Sequence, residues 1–327
     1  MIYVETGSTD PYYNFGLEYW LITEKCFAED TVFLFWRTEP TLMLGKYQNP
    51  YEEINLEYAR EHKINIVRRM SGGGTIYTDM GGWQFTFITK GNDKNISFSE
   101  YILPVIDALH SLGVKDAGFN GRNDLVIGGR KFSGNAQYIH GGYTLHHGSL
   151  LYDTDIEQMV ASTNVDPYKI ISKSIKSVRD RVTNISEHLK EPVSAEEFKK
   201  LMVSHIMHGS ENTYVPTPEE TLRIEEIARE KFRNHRAVFG ASPKYSIVRT
   251  GRFEGGKMEF CISVVKGRIA DITVSGDFFG TVEAEDFAEV LRGCEYERGA
   301  VEAALEKLPG TVYKVTAAEM AKVIAEV

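Results

Sequence analysis

The chain has 327 residues, 42% of them hydrophobic and 25% charged, the composition of a soluble globular protein with ample core. A formal net charge of −9 excludes wholesale attraction to nucleic acid or to an anionic membrane, so an anionic ligand must find a local basic patch. Cys26, Cys261 and Cys294 lie far apart with no metal-ligand spacing, and no apolar run is long enough to span a bilayer; a cytoplasmic soluble protein is expected.

In chain order, Ile2 to Glu5 reads as an edge strand, and Asp10-Pro11 starts a helix of roughly Tyr12 to Ala28. Val32 to Trp36 and Thr41 to Gly45 are short apolar strands around the Glu39-Pro40 turn. Asn55 to His62 is a helix, and Ile64 to Val67 is the strand that delivers Arg68 and Arg69. Trp83 to Thr89 alternates with period two, which predicts a strand with one buried face. Ser97 begins a helix that Gly113 stops after Leu112. Gly128-Gly129 and Gly141-Gly142 mark two hairpins between Asp124 and Leu151. Helices then dominate, and Pro216 to Pro218 opens a charged segment, Glu219 to Arg233, that ends the large domain. From Tyr245 onward three strands and two or three helices form a compact α+β unit.

Chemistry gathers in four stretches. Arg68-Arg69-Met70-Ser71-Gly72-Gly73-Gly74 puts forked cations beside three glycines, which mark a close approach of backbone to something. Gly121-Arg122-Asn123-Asp124 with Gly129-Arg130-Lys131-Phe132-Ser133-Gly134 brings a lysine and two arginines to one hairpin, where the Lys131 ammonium can stabilise charge on a carboxylate and an α-phosphate. His146 and His147 are neighbours in a strand and point to opposite faces, which argues against a zinc pair; one packs in the sheet and the other edges a site. Lys169 to Asn184 carries five cations around Asp180, interleaved with serines, a composition suited to a loop over phosphate. Neither a P-loop nor a dinucleotide-binding glycine pattern is present.

These stretches, with Asp10-Pro11-Tyr12-Tyr13-Asn14 and Ser177-Val178-Arg179-Asp180-Arg181-Val182-Thr183-Asn184, occur in the order found in lipoate–protein ligases, and the chain resembles that family. Ser242-Pro243 onward, including Gly276-Asp277-Phe278-Phe279-Gly280, is similar to the small accessory domain of the bacterial ligases.

The resemblance implies an α+β fold. Residues 1–241 would form a catalytic domain with a mixed β-sheet and flanking helices, shared with biotin ligases and class II aminoacyl-tRNA synthetases; residues 242–327 would form the accessory domain. It implies ATP-dependent ligation of lipoate to a lysine of acceptor proteins through a lipoyl-adenylate. The acceptors would be the glycine-cleavage H protein or the lipoyl domains of 2-oxoacid dehydrogenases.

By the same resemblance Lys131 would contact the adenylate's carbonyl and phosphate oxygens. Arg69, Ser71, Gly72, Gly73, Gly74, Ile76, Tyr77, Thr78, Asn123, Asp124, Ser133, Gly134, His147, Lys173 and Arg179 would bind substrate or adenylate. Leu17 and Trp36 would line the acyl tunnel. ATP would bring Mg2+, with Asp124 near the ion. Thr78 and Gly82 stand where the family commonly has histidine and asparagine. The alternatives are an ATP-independent octanoyl or lipoyl transferase of the same fold, whose relatives use a cysteine thiolate, and a binding protein without catalysis. The accessory domain is expected to swing between the two half-reactions.

Overall fold

Two glycine pairs set the register of the central sheet. Gly128-Gly129 (φ 56° and 79°) and Gly141-Gly142 (φ 57° and 81°) all adopt the left-handed conformation that two-residue hairpin turns require, where a side chain would be strained. In the computed structural model, which describes residues 1–27, 31–48, 50–91, 96–121, 123–163, 180–234, 237–238, 247–265 and 267–325, these turns join β8 (Asp124–Ile127), β9 (Arg130–His140) and β10 (Tyr143–Leu151). The three strands belong to a mixed eight-stranded sheet of order β11-β1-β2-β6-β10-β9-β8-β7. The others are β1 (Ile2–Val4), β2 (Val32–Trp36), β6 (Gly82–Lys90), β7 (Ala117–Phe119) and β11 (Thr213–Tyr214). β11, β1 and β2 run parallel, and the remaining neighbours are antiparallel.

Both faces of this sheet are covered. Phe33, Phe35, Phe85 and Phe87 pack on one side with the helices Ser99–Ser111 and Ala195–Ile206. Val32, Leu34 and Trp36 pack on the other with α1 (Pro11–Trp20). The alternation read in Trp83 to Thr89 therefore does not separate core from solvent, because Gly82 to Ile88 are all buried. Ile2–Val4 is not an edge either, since β11 pairs along it. The first helix is shorter than its pattern suggests. After Trp20 it widens into a π-helical turn, Leu21–Lys25, and Cys26 (φ 45°) ends it.

β2 and the next strand, β3 (Thr41–Leu44), do not pair with each other. β3 joins β4 (Asn65–Arg68) in parallel and β5 (Ile76–Thr78) antiparallel in a separate three-stranded sheet. Pro218–Ile227 and the π turn Ala228–Phe232 pack back on α1, where Gly16 leaves room for Ala228.

The C-terminal strands β12 (Ile247–Phe253), β13 (Gly256–Val265) and β14 (Arg268–Gly276) form an antiparallel sheet with its own core against three helices. The boundary expected between residues 241 and 242 lies outside the described residues. Tyr47 of the large domain inserts into this second core, its ring stacked on Phe278 at 4.1 Å and its hydroxyl bonded to the Val282 carbonyl. No helix among the described residues is long and apolar enough to cross a membrane.

Candidate active site

The cavity floor is built by strand register. Trp36, Gln84 and Ser149 are partners across β2, β6 and β10, and Gly134 N–H reaches Ser149 Oγ at 3.4 Å. Residues in register on adjacent strands share a face, and all four line one cavity. Its walls are Phe15, Met43, Ile76 and Phe279 on the apolar side, and Arg69, Asn123, Lys131 and His147 on the polar side. A second, more apolar cavity is lined by Ile76, Tyr77, Ser133, Met159, Val160 and Val182. Thr75, Ile76, Lys131, Gly134 and Ser149 border both.

Lys131 therefore stands at the junction of two compartments. Its ammonium lies 2.7 Å from Asp124 Oδ1 and close over Gly134, where an added Cβ would come within 3.1 Å of Nζ. Its backbone is fixed by Arg181 O and Thr183 N. Asp124 is thus held by a lysine. Among the described residues no group of three or more histidines, cysteines and acids is placed to hold a metal ion. The Asn123 and Asn135 side chains bond across to each other's carbonyls, which pins the β8–β9 hairpin beside Lys131.

Arg69 is buried, and its donors are spent on β3 and on the loop that follows it. Nη1 bonds Met43 O at 2.7 Å, Nη2 bonds Gly72 O and Gly74 O at 2.8 Å, and Nε bonds Ser71 Oγ at 3.2 Å. Burial first, and the neighbouring Arg68 charge second, pull its guanidinium down to about 9. Arg69 thus organises the glycine loop and presents positive potential to the cavity, with no counter-ion in contact among the described residues. Arg68 ties the carbonyls of Gly45, Lys46 and Gln48 to those of Ala237 and Val238.

The partner of the triple glycine is protein. A Cβ on Gly72 would strike the Phe278 carbonyl oxygen, and one on Gly73 would sit 2.5 Å from the Phe279 ring. Gly74 has only Asp277 Cβ near, at 3.8 Å, and opens to the cavity.

The two histidines separate as the strand period requires. His146 is fully buried, stacked on Tyr101 at 4.8 Å, and bonded to Gln137 and Asn135; burial holds its imidazole well below its ordinary value. His147 faces the cavity, with Nε2 2.6 Å from Ser71 Oγ and Nδ1 3.2 Å from Glu18 Oε2. Glu18, fully buried on α1, also accepts from Thr86 Oγ1 at 2.5 Å, and Thr86 in turn accepts from Trp36 Nε1 at 3.1 Å. One carboxylate thereby orients a polar wall and an apolar wall of the same cavity.

Leu17 and Thr78 lie outside both cavities. Leu17 packs in the core beneath α1 rather than along the cavity; Phe15 and Met43 line it with Trp36. Thr78 is one residue removed from the cavity, accepting from Gln84 Nε2 at 2.8 Å. A Cβ at Gly82 would fall 2.8 Å from Thr78 Oγ1 and 3.0 Å from Thr154 Oγ1, so Thr78 and Gly82 accommodate each other. Tyr77 bonds Gln158 through its hydroxyl, and Ser133 Oγ accepts from Asn135 Nδ2 at 3.3 Å. Lys173 and Arg179 lie outside the described residues.

Sequence reasoning missed Glu18, Tyr47, Gln84 and Phe279. Glu18 alone left a signal, an acid set among Phe15, Leu17, Trp20 and Leu21.

Residues 10–207 match the family described as the lipoyl protein ligase A/B catalytic domain, and residues 242–324 match the bacterial lipoate protein ligase C-terminus. The chain is similar to the lipoate-protein ligase LplJ of Bacillus subtilis, 38% identical over 312 residues that cover 94% of each chain. Its fold is similar to that of P. falciparum LipL1 in complex with lipoate, with a TM-score of 0.85 at 20% identity over 100% of this chain and 99% of that one. It is also similar to a lipoate-protein ligase A bound with ATP, at TM-score 0.60 and 21% identity over 73% of this chain and 97% of that one.

Proposed function

The chain belongs to the lipoate–protein ligase family, and on that premise we infer that it joins lipoate to a lysine of acceptor proteins in an ATP-dependent reaction. The observation that carries the reading is the place of Lys131 between two cavities. An acyl chain fits the compartment walled by Phe15, Trp36 and Met43. A nucleoside fits the apolar one walled by Ile76, Val160 and Val182. The carboxylate and the α-phosphate then meet at the lysine.

The acid's carboxylate oxygen displaces pyrophosphate from the α-phosphorus, giving a mixed anhydride. The acceptor's lysine amine then attacks the acyl carbon, loses a proton and releases AMP. Lys131 offsets negative charge on both groups in each step, and buried Arg69 adds a fixed positive field from behind the glycine loop. Asp124 holds Lys131 in place, and the His147–Ser71 pair orders the cavity's polar wall. The phosphates of ATP call for a hard cation; Mg2+ would be held by them and would offset charge on the departing pyrophosphate, since Asp124 is already engaged by Lys131.

Apo glycine-cleavage H protein and 2-oxoacid dehydrogenase lipoyl domains are the proposed acceptors, and the setting proposed is a cytoplasmic monomer. We divide the chain into a catalytic domain, 1–241, and an accessory domain, 242–327. Against a thiolate-dependent transferase, none of Cys26, Cys261 and Cys294 lines either cavity.

The test is intact-mass analysis of each apo acceptor incubated with this protein, Mg2+ and lipoate, with and without ATP, alongside Lys131→Ala. A lipoyl mass gain that needs ATP and is lost in the variant supports the reading. Transfer without ATP from an acyl donor would overturn it.

A further inference from the structure

We propose that Gln84 reads the far end of the acyl chain and selects a sulfur-bearing acid over an alkyl acid of the same length; this rests on the ligase reading above. Gln84 is 3% exposed and lines the acyl cavity. One arm of its amide is used, Nε2 donating to Thr78 Oγ1 at 2.8 Å, while Oε1 is buried with no hydrogen-bond partner among the described residues. A buried amide oxygen left unpaired is destabilising, and because Gln84 lines the cavity a turn of its amide would bring that oxygen to a ligand able to pair it.

Register gives the distance. From Gly134, beside the Lys131 ammonium, the cavity floor crosses β10 at Ser149 and reaches β6 at Gln84, where Trp36 is the next partner. Two strand spacings are about 10 Å, the reach of an extended medium-chain acid whose carboxyl group sits at Lys131. The chain's last atoms therefore lie against Gln84 and the Trp36 indole. An alkyl end offers the amide nothing. A reduced dithiol end offers an S–H donor to Oε1. The closed disulfide ring offers a sulfur acceptor once the amide turns over, with the Thr78 hydroxyl then donating to it. A site that hydrogen-bonds its substrate rejects an analogue lacking the group, because its own polar atom is then left unpaired.

The experiment follows acid-dependent pyrophosphate release with lipoate, dihydrolipoate and octanoate, using wild type, Gln84→Leu and the near-isosteric Gln84→Met. In wild type, kcat/KM for the sulfur-bearing acids is expected to exceed that for octanoate by about tenfold or more. In both variants the ratio falls toward unity, mainly through a lower KM for octanoate, with KM for ATP unchanged. The ratio is internal to each preparation, so a partly misfolded variant does not distort it. A wild-type ratio near unity, or the same ratio in all three proteins, would overturn the inference while leaving the ligase reading intact. Activation of none of the acids by the wild type would remove both.

Discussion

Gly73 donates its amide hydrogen to the Phe278 carbonyl at 2.8 Å, with a φ of 91° that only glycine adopts at little cost. This bond, made across 205 residues of sequence, couples the loop after Arg69 to the accessory domain and brings Phe279 to the cavity wall. Gly73→Ala adds a methyl group 2.5 Å from the Phe279 ring on a strained backbone, and is expected to lower stability by about 1–3 kcal/mol. Gly74→Ala, with open space, changes stability little. Urea unfolding of the two variants checks the contrast; equal midpoints would contradict it.

Tyr47 is the large domain's anchor in the second core. Tyr47→Ala leaves a hole against Phe278 and is expected to lower stability by about 3–5 kcal/mol. Tyr47→Phe keeps the stack, loses the bond to Val282 O, and costs about 1 kcal/mol. Calorimetry on both variants measures the difference, and a Tyr47→Phe loss as large as the alanine loss would show that the stack contributes nothing.

Lys131→Ala removes the cation at the junction of the cavities. Lipoyl-adenylate formation is expected to drop by about 10²–10³-fold, the effect of deleting one electrostatic contact to developing charge. Melting should shift little, because Lys131 is half-exposed and its ion pair is with partly exposed Asp124. Quenched-flow measurement of the first turnover separates the two effects. A variant with a wild-type burst would remove Lys131 from the chemistry.

Glu18→Gln should expose the chain of bonds from Trp36 and Ser71 to one carboxylate. The amide loses the charge and turns a donor to where one acceptor oxygen stood between His147 and Thr86, so a loss of about 1–3 kcal/mol is expected. Combined with Thr86→Val, the losses should be less than additive, since both changes break the same bond. Strict additivity in a double-mutant cycle would disprove the coupling.

His146 makes stability depend on pH. Burial, helped by the His147 charge, holds its folded-state imidazole well below the ordinary 6.5. The unfolded chain binds a proton that the folded one refuses. The contribution is therefore intact above about pH 6.5 and is lost as pH falls below it, by up to about 1.4 kcal/mol per unit. His146→Gln should flatten that part of the profile relative to wild type. Parallel unfolding curves from pH 7.5 to 5 in both proteins would contradict this.

Much of the fold was legible because its signals are local. Gly128-Gly129 and Gly141-Gly142 specify hairpins through their own φ angles, and apolar runs such as Val32 to Trp36 specify buried strands. Position in the sheet was not legible. Ile2–Val4 loses its edge to a two-residue strand more than 200 residues later, and β2 and β3 part into different sheets although one turn joins them. A strand's pattern states which faces are buried, and pairing depends on distant partners.

The site divides the same way. Lys131, Arg69 and the glycine loop stand out by residue type, so the charged groups at the junction and the family the chain resembles could be read from the sequence alone. The close approach that three glycines announce is also local, because it needs only a missing Cβ. What approaches is not local. Tertiary structure decided that Gly72 and Gly73 receive Phe278 and Phe279, that Leu17 turns to the core while Phe15 meets the cavity, and that Glu18 holds His147. It also left one arm of Gln84 unpaired. Each of these rests on a contact between segments far apart in the chain, and such contacts are set by packing geometry that no short-range pattern encodes.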